Sequence, residues 1–267
     1  MTSIIYNKEE PFMKKIMALA LAAVMLLCAG VALAETVDYA IGTDKGFKPF
    51  EYTDENGVLV GIDVEILAAI AEDQGFTYSI TDLGWDASIA ACQAGQLDGM
   101  IAGASITDER KESGWVFSDG YFTATQSMAI AAGSNITGFA DLAGHSVAVK
   151  IGTMSKDYAD SLSGEYGFTV VTFETSADIY LAVIGGVCAA CFDDTPIMAD
   201  NIKSGVPLQL VEGTENEGAE YGFAVFKSGD GELAANKQEL IDKFNAGLAN
   251  IRANGIYDEI LAKYLGE

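Results

Sequence analysis

Basic residues, histidine and cysteine are scarce in this chain of 267 residues, and each shortage excludes a class of function. Lysine and arginine number 15 against 39 aspartates and glutamates, which gives a formal net charge of −24. Such a charge repels phosphate, so it argues against binding to nucleic acids or to anionic membrane surfaces. His145 is the single histidine and there is no second Cys-x-x-Cys pair, so we expect neither a metal site nor a cofactor.

The four cysteines are too few and too unevenly placed for a disulfide framework. Cys28 lies in an N-terminal segment that we expect to be removed on export, which leaves Cys92, Cys188 and Cys191. Cys188 and Cys191 have Cys-x-x-Cys spacing inside an apolar run. Buried free thiols are therefore the expected state, and a redox-active pair is the alternative.

Long apolar runs are confined to the N-terminus, where residues 16–30 follow Lys14 and Lys15. The small residues Ala32 and Ala34 then provide a cleavage site after residue 34. Together these features predict a secretory signal peptide over residues 1–34, with Met13 as the natural start. We therefore expect an exported protein, periplasmic or extracellular. Lipidation at Cys28 would instead attach it to the cell surface, but the preceding residue is Leu27, where a small residue is usual.

The rest of the chain alternates between strand and helix patterns, which predicts an α/β fold with parallel-rich sheets covered on both faces. Gly75 is placed to end the first helix, and Asp86 and Ser176 to cap two later helices. The predicted strands are 36–41, 77–80, 97–101, 127–131, 146–150, 168–173, 187–192, 206–211 and 221–226, and the predicted helices are 61–75, 87–94, 177–184, 232–254 and 256–264.

Two rounds of this pattern, followed by a helical tail, predict two lobes. The first lobe would comprise residues 35–121 together with 223–267, and the second would comprise residues 126–216. Residues 122–125 and 217–222 would be the two crossings between them, a two-strand hinge, and no low-complexity linker separates the lobes.

The stretch from Ala102 to Arg110 combines small residues, hydroxyls, free backbone groups and one arginine directly after an apolar strand. Backbone carbonyls and Ser105 could face an ammonium group, and the planar fork of Arg110 could bind a carboxylate with two hydrogen bonds. Taken alone, the stretch is equally consistent with a polar turn that carries a solvated arginine.

Several further motifs resemble those of the extracellular solute-binding proteins of the polar amino-acid family, which serve ABC importers. The resemblance covers residues 35–267 and points most closely to glutamine-binding receptors. It implies a periplasmic-binding-protein-like fold of two lobes. The matching motifs are Gly61-Ile-Asp-Val-Glu-Ile66, Ile106-Thr-Asp-Glu-Arg110, Phe117-Ser-Asp-Gly-Tyr121, Val147-Ala-Val-Lys150 with Gly152-Thr153, Asp194-Thr-Pro196 and Asn254-Gly-Ile-Tyr257.

The resemblance also implies how the head group of an amino acid would be held. Arg110 would bind the α-carboxylate, helped by backbone N–H groups at Ser105 and at Thr153, where a helix begins. Asp194, from the other lobe, would bind the α-ammonium together with the Gly103 carbonyl. A zwitterion needs one cation and one anion, and these would come from different lobes, so binding should close the lobes about the hinge.

The side chain of the ligand would lie between Phe47 and Trp85, with Asp44 and Lys150 at its end. The resemblance has two departures near this pocket: Ala189 stands where an acid is usual, and Asp193 stands where another polar residue is common. The full set of expected ligand contacts is Asp44, Phe47, Trp85, Ala102, Gly103, Ser105, Arg110, Lys150, Thr153, Asp193 and Asp194.

The ligand prediction is a polar L-amino acid. Asp44 as acceptor and Lys150 as donor suit a side-chain amide such as that of glutamine, which is the first choice. Asp44 with Asp193 would suit a basic side chain, which is the second, and two acids disfavour glutamate.

We expect a monomeric, non-enzymatic receptor that passes a free amino acid to the transmembrane permease of an ABC transporter. An enzyme on the same fold, such as a cyclohexadienyl dehydratase, and a free ligand sensor are the alternatives.

Overall fold

The structure is a computed structural model, and it describes residues 38–266. The predicted signal peptide and the alternative lipid attachment at Cys28 lie outside the described residues. Between residues 38 and 266, no helix is both long and apolar enough to cross a membrane.

Two five-stranded sheets form the framework, and each is parallel on one side and antiparallel on the other. The first contains β1 (Asp38–Thr43), β5 (Thr77–Asp82), β6 (Gly99–Met100), β7 (Trp115–Phe117) and β15 (Ala224–Phe226). Their order is β5-β1-β6-β15-β7, with β5, β1 and β6 parallel. The late strand β15 pairs antiparallel with β6 and β7, so the end of the chain returns to the sheet in which it began.

The second sheet repeats this arrangement. It contains β9 (Gln126–Ala131), β10 (Ser146–Lys150), β11 (Thr169–Phe173), β12 (Ala190–Asp194) and β13 (Leu208–Leu210). Their order is β11-β10-β12-β9-β13, with β11, β10 and β12 parallel and β9 antiparallel to both neighbours. The carboxyl ends of the parallel strands in both sheets therefore supply the loops on which polar side chains collect.

Two smaller sheets complete the strands. A three-stranded antiparallel sheet consists of β2 (Gly46–Phe47), β3 (Glu51–Thr53) and β4 (Leu59–Val60). The other pairs β8 (Phe122–Ala124) with β14 (Ala219–Tyr221), at the two points where the chain passes from one large sheet to the other. The crossings expected from the sequence coincide with β8 and β14, and the assignment of two movable lobes stays a prediction.

The helices cover the faces of the large sheets. They are α1 (Ile62–Gln74), α2 (Trp85–Gln93), α3 (Asp108–Glu112), α4 (Met154–Tyr166), α5 (Ser176–Ile184), α6 (Thr195–Lys203), α7 (Ala235–Ala253) and α8 (Ile256–Leu265), with a 3₁₀ turn at Phe139–Leu142. A Cβ at Gly247 of α7 would lie 2.7 Å from the Ile70 side chain of α1, so this glycine allows the two helices to pack closely. Apolar clusters fill both faces of each large sheet, with α1, α7 and α8 on one face of the first sheet and α2 on the other.

Helix ends were predicted with mixed success. Gly75 has a φ of 67° and ends α1 in the left-handed conformation, as predicted. The two predicted N-caps are wrong by one or two residues. Gly84 precedes α2, which puts Asp86 in the first helical turn, and the hydroxyl of Thr175 caps α5 by accepting a hydrogen bond from the Asp178 amide at 3.1 Å.

Strand boundaries also differ from prediction where the chain changes partners. The predicted strand 221–226 is split, because β14 pairs with β8 whereas β15 pairs within the first sheet. The predicted strand 97–101 is reduced to β6, although the amides of Asp98 and Ile101 still donate to the carbonyls of Ala40 and Gly42. Strand β7 was not predicted.

The cysteines and the histidine can now be compared with the predictions made for them. Cys92, Cys188 and Cys191 are buried free thiols, and burial raises the pKa of Cys92 to about 12. His145 is exposed in the loop before β10. Among residues 38–266 no group of three or more histidine, cysteine, aspartate or glutamate side chains is arranged to hold a metal ion.

Candidate functional site

A cavity lies where loops from both large sheets meet. Its lining includes all eleven of the residues expected from the sequence as ligand contacts. Met154 and Ser155 also line it, and these were missed. Their signal was present in the sequence, because the first residues after the N-cap Thr153 carry the free amides of a helix start.

Arg110 is held by aromatic rings and backbone carbonyls. Its backbone lies in α3, where the Thr107 hydroxyl accepts a hydrogen bond from the Arg110 amide at 3.2 Å. The guanidinium carbon lies 5.1 Å from the ring centres of both Trp85 and Trp115. The guanidinium donates to the carbonyl oxygens of Ser105 at 2.8 Å and of Gly152 at 3.2 Å.

This arrangement keeps a planar cation in a fixed orientation. A guanidinium has five N–H donors, so these two hydrogen bonds leave donors for an anion in the cavity. Burial lowers the pKa of the Arg110 guanidinium, and the nearby Asp194 carboxylate opposes that effect. The guanidinium stays protonated at any physiological pH.

Asp194 supplies the opposite charge from the end of β12 in the second sheet. Its carboxylate accepts hydrogen bonds from the Gln126 amide nitrogen at 2.6 Å, from the Ser155 hydroxyl at 3.2 Å and from the Tyr221 hydroxyl. Burial raises the pKa of Asp194, and the bonds from Tyr221, Gln126 and Ser155 oppose the rise. These three donors therefore favour the ionised form of a buried carboxyl group.

A second pair of opposite charges joins Asp44, which follows β1, to Lys150 at the end of β10. The ammonium of Lys150 donates directly to the Asp44 carboxylate, and the two residues are 3% and 6% exposed. The ammonium also lies 5.3 Å from the centre of the Phe47 ring and 5.8 Å from that of Trp85. Charges this deeply buried are tolerated because they are paired and hydrogen-bonded.

Asp193 is buried beside Asp194 but points toward different partners. The Tyr180 hydroxyl donates to one of its oxygens at 2.7 Å and the Asp194 amide donates to the other at 3.0 Å. Burial, followed by the charge of Asp194, raises the pKa of Asp193 to about 6. Asp193 thus borders the cavity as a carboxyl group that already accepts hydrogen bonds from α5 and from its own strand.

The start of α4 contributes an anion-binding edge. Thr153 caps the helix by accepting from the Lys156 amide at 3.3 Å, and its hydroxyl donates to the Lys150 carbonyl at 2.7 Å. The amides of Met154 and Ser155, which come before Lys156 in the first turn, have no carbonyl of the helix to donate to and favour a negatively charged group. The cavity therefore offers two positively polarised groups for a carboxylate and one carboxylate, Asp194, for a cation.

Comparison with known proteins identifies the family of this chain. Residues 39–267 match the family described as bacterial extracellular solute-binding proteins, family 3. The arginine-binding extracellular protein ArtP of Bacillus subtilis is 29% identical over 224 residues, which cover 84% of each chain.

Two solved structures show the same likeness. The arginine-, lysine-, histidine-binding protein ArtJ of Geobacillus stearothermophilus is 31% identical with a TM-score of 0.78, over 86% of this chain and 96% of ArtJ. Substrate-binding domain 2 of GlnP of Lactococcus lactis, in an open conformation, is 36% identical with a TM-score of 0.60, over 89% of this chain and 99% of that domain. With its family match over nearly the whole described chain, this protein belongs to the bacterial extracellular solute-binding proteins of family 3.

Proposed function

We propose that this protein captures a polar L-amino acid, with glutamine as the first choice, and delivers it as an exported monomer to the permease of an ABC transporter. The observation that carries the proposal is that Arg110 and Asp194 reach one cavity from different sheets. A free amino acid is the smallest common molecule that presents a carboxylate and an ammonium group at a fixed separation.

The head group would occupy the end of the cavity near these two residues. Arg110 and the amides at the start of α4 would bind the carboxylate, since both are positively polarised. The guanidinium bonds two carbonyls and keeps its other N–H donors for the ligand. Asp194 would bind the ammonium, helped by the Ser105 hydroxyl and the Gly103 carbonyl. The donors that keep Asp194 ionised support this role.

The Asp44–Lys150 pair supports an amide at the end of the ligand side chain. An amide carries both a donor and an acceptor, and this pair offers one acceptor and one donor without adding net charge. The rings of Phe47 and Trp85 would enclose the methylene groups. A glutamate side chain would place a third negative charge beside Asp44 and Asp193, so it is disfavoured.

A basic amino acid is the second candidate, and Asp193 favours it. The lining carries three carboxyl groups and two basic groups: Lys150 pairs with Asp44 and the charge of Arg110 balances that of Asp194, so the charge of Asp193 is left without a basic counterpart in the lining. ArtP and ArtJ are named for basic amino acids. The hydrogen bond from Tyr180 reduces the demand of Asp193 for a cation, which is why glutamine remains our first choice.

We infer that binding closes two lobes, residues 35–121 with 223–267 and residues 126–216, about the crossings 122–125 and 217–222. The Gly152 carbonyl lies in the loop after β10 of the second sheet. It accepts from the Trp85 side chain at 3.1 Å and from the Arg110 side chain at 3.2 Å, and both of these residues lie on helices of the first lobe. The GlnP domain described as open has higher identity but a lower TM-score than ArtJ, as expected if its lobes are farther apart.

A dehydratase and a free sensor are the competing functions. A dehydratase would need a general acid free to protonate a leaving group, whereas Asp194 accepts three hydrogen bonds and is suited to holding an ammonium. A sensor would bind the same ligand, so uptake of labelled amino acid by vesicles that carry the cognate permease distinguishes transport from sensing.

The deciding experiment is calorimetric titration of the mature chain with the amino acids and prephenate. We expect micromolar or tighter binding of glutamine, weaker binding of arginine, lysine and histidine, and no heat with glutamate. Preferential binding of arginine would establish the second candidate. No amino-acid binding together with consumption of prephenate would overturn the receptor function.

A further inference from the structure

The motif Gly61-Ile-Asp63-Val-Glu65 lies outside the cavity, and the proposed function leaves it without a role. Gly61 has a φ of 136°, and a Cβ there would lie 2.1 Å from the Phe50 carbonyl oxygen. The glycine thus allows the start of α1 to lie against β3, where the Asp63 amide donates to the Phe50 carbonyl at 2.9 Å. Glu65 faces outward and bonds the Lys263 and Tyr264 side chains of α8.

Asp63 faces inward and bonds the backbone of the cavity lining. Its Oδ2 accepts from the Gly103 amide at 2.9 Å and from the Tyr121 hydroxyl at 2.7 Å. Gly103 has a φ of 55°, and a Cβ there would lie 2.6 Å from the Phe47 ring, so only glycine fits. Because the peptide group is planar and trans, this bond turns the Ala102 carbonyl in the opposite direction, away from Asp63.

Glu51 on β3 is fully buried, and its carboxyl group lies within hydrogen-bonding reach of the Asp63 carboxyl group. Neither of its oxygens, nor Oδ1 of Asp63, has a hydrogen-bond donor in the part of the chain that the structure describes. Two ionised carboxylates cannot bond each other, but a single proton placed between Glu51 and Asp63 Oδ1 gives each group a partner. An ionised carboxylate buried without a donor would carry the large desolvation penalty of an unpaired buried charge, which the shared proton removes.

We propose that Glu51 is a neutral carboxylic acid that donates to ionised Asp63, and that this pair is a positioning device which holds the Gly103 backbone in the geometry the amino-acid ligand requires. The proposal rests on the proposed function for the ligand, but the state of the pair can be measured without one.

The charges around Glu51 agree with this arrangement. Burial raises the pKa of Glu51 well above its usual value, and the carboxylates of Asp63 and Asp44 raise it further, against the opposing charge of Lys150. Burial raises the pKa of Asp63 as well, but only to about 6, because Tyr121 and the Gly103 amide donate to it. The proton therefore stays on Glu51 while Asp63 ionises.

The test compares Glu51→Ala, Glu51→Gln and Asp63→Ala by calorimetry with L-glutamine, or with the amino acid that the wild type binds best. Glu51→Ala and Asp63→Ala should each lose about tenfold or more in affinity, because the Gly103 amide loses a fixed acceptor. Glu51→Gln keeps a donor of the same shape and should restore affinity to within about threefold of wild type. An unchanged binding stoichiometry and a cooperative melt in each variant separate lost affinity from lost folding.

Two measurements on the ligand-free protein check the pair itself. Infrared spectra at pH 7.5 should show the carbonyl stretch of a buried carboxylic acid in the wild type, and this band should be absent from Glu51→Gln. In a chain labelled with ¹⁵N-glycine, the Gly103 amide should exchange slowly with solvent in the wild type and in Glu51→Gln, and rapidly in Asp63→Ala.

If Glu51→Gln loses as much affinity as Glu51→Ala and no carboxylic acid band is present, Glu51 is ionised and the proposal is wrong. If the band and the slow exchange are present but no amino acid binds, the pair stands and the proposed ligand class fails. Persistent slow exchange at Gly103 in Asp63→Ala would show that Asp63 does not hold this amide.

Discussion

Replacing Lys150 with methionine should weaken glutamine binding and change the order of ligand preference. Lys150 and Asp44 lie 106 residues apart, in different sheets, and both are almost completely buried when the lobes are together. Removing the lysine leaves the Asp44 carboxylate buried without its cation. Breaking a buried pair in this way costs about 3 kcal/mol at the low end of the usual range, which is roughly a hundredfold in affinity.

The loss should fall on ligand binding more than on unfolding. If the lobes separate when the ligand leaves, Asp44 becomes solvated in the open form, so the penalty is incurred on closure. Arginine and lysine should lose much less affinity than glutamine, because a cationic side chain can replace the missing ammonium beside Asp44. Calorimetry with glutamine and arginine, together with thermal melts of the ligand-free variant, measures both effects.

Two variants control for this effect. Lys156→Met removes a lysine that pairs with Asp160 on the surface of α4, where the side chains are 30% and 44% exposed, and should change affinity by less than about threefold. The double variant Asp44→Asn/Lys150→Met should bind glutamine better than the sum of the two single losses predicts. Glutamine affinity within about threefold of wild type in Lys150→Met would refute the placement of this pair at the ligand side chain.

Three further predictions follow from the same geometry. Arg110→Ala should abolish binding with little loss of fold stability, and Arg110→Lys should not restore it because an ammonium lacks the planar fork, as calorimetry and thermal melts will show; unchanged affinity in Arg110→Ala would contradict the carboxylate contact. Exchanging Asp193 for histidine should shift preference toward neutral side chains, and an unaltered ligand ranking would remove Asp193 from the specificity pocket. Since the pKa of Asp193 is raised to about 6 from 3.8, the native state binds more protons than the unfolded state between these values, so the free energy of unfolding should fall as the pH rises through this window. Between pH 4.5 and 7 the free energy of unfolding, measured with urea, should fall less in Asp193→Asn than in the wild type by on the order of 2 kcal/mol, and equal falls in the two proteins would refute the assignment.

The chemical character of the site could be predicted from short stretches of sequence. Arg110 follows an apolar strand and Asp194 ends another. The carboxyl ends of parallel strands lie at one edge of a sheet, so both side chains were expected there. The start of α4 after Gly152 marks a place for an anion. These signals are local, and together with the family resemblance they are sufficient to predict eleven of the cavity-lining residues.

Other features depend on residues that are far apart in the sequence. The split of the predicted strand 221–226 reflects a change of sheet at Gly222, where a Cβ would lie 2.9 Å from the Ile106 side chain. Apolar alternation shows that both halves are buried, but it carries no information about which strand each half pairs with. The N-cap of α2 was misplaced for a different, local reason, because an acid is favourable both before and within the first turn of a helix.

The sequence by itself determined that this is an acidic α/β protein, and it predicted one cation and one anion for the head group of an amino acid. Only the tertiary structure decided that Lys150 pairs with Asp44, that Tyr180 satisfies Asp193, and that Glu51 lies against Asp63. Composition and periodicity predict which positions are buried. A hydrogen bond between residues that are distant in the sequence depends instead on sheet register and helix packing. The partners of each buried charge, and hence its protonation state, are therefore fixed only when the chain is folded.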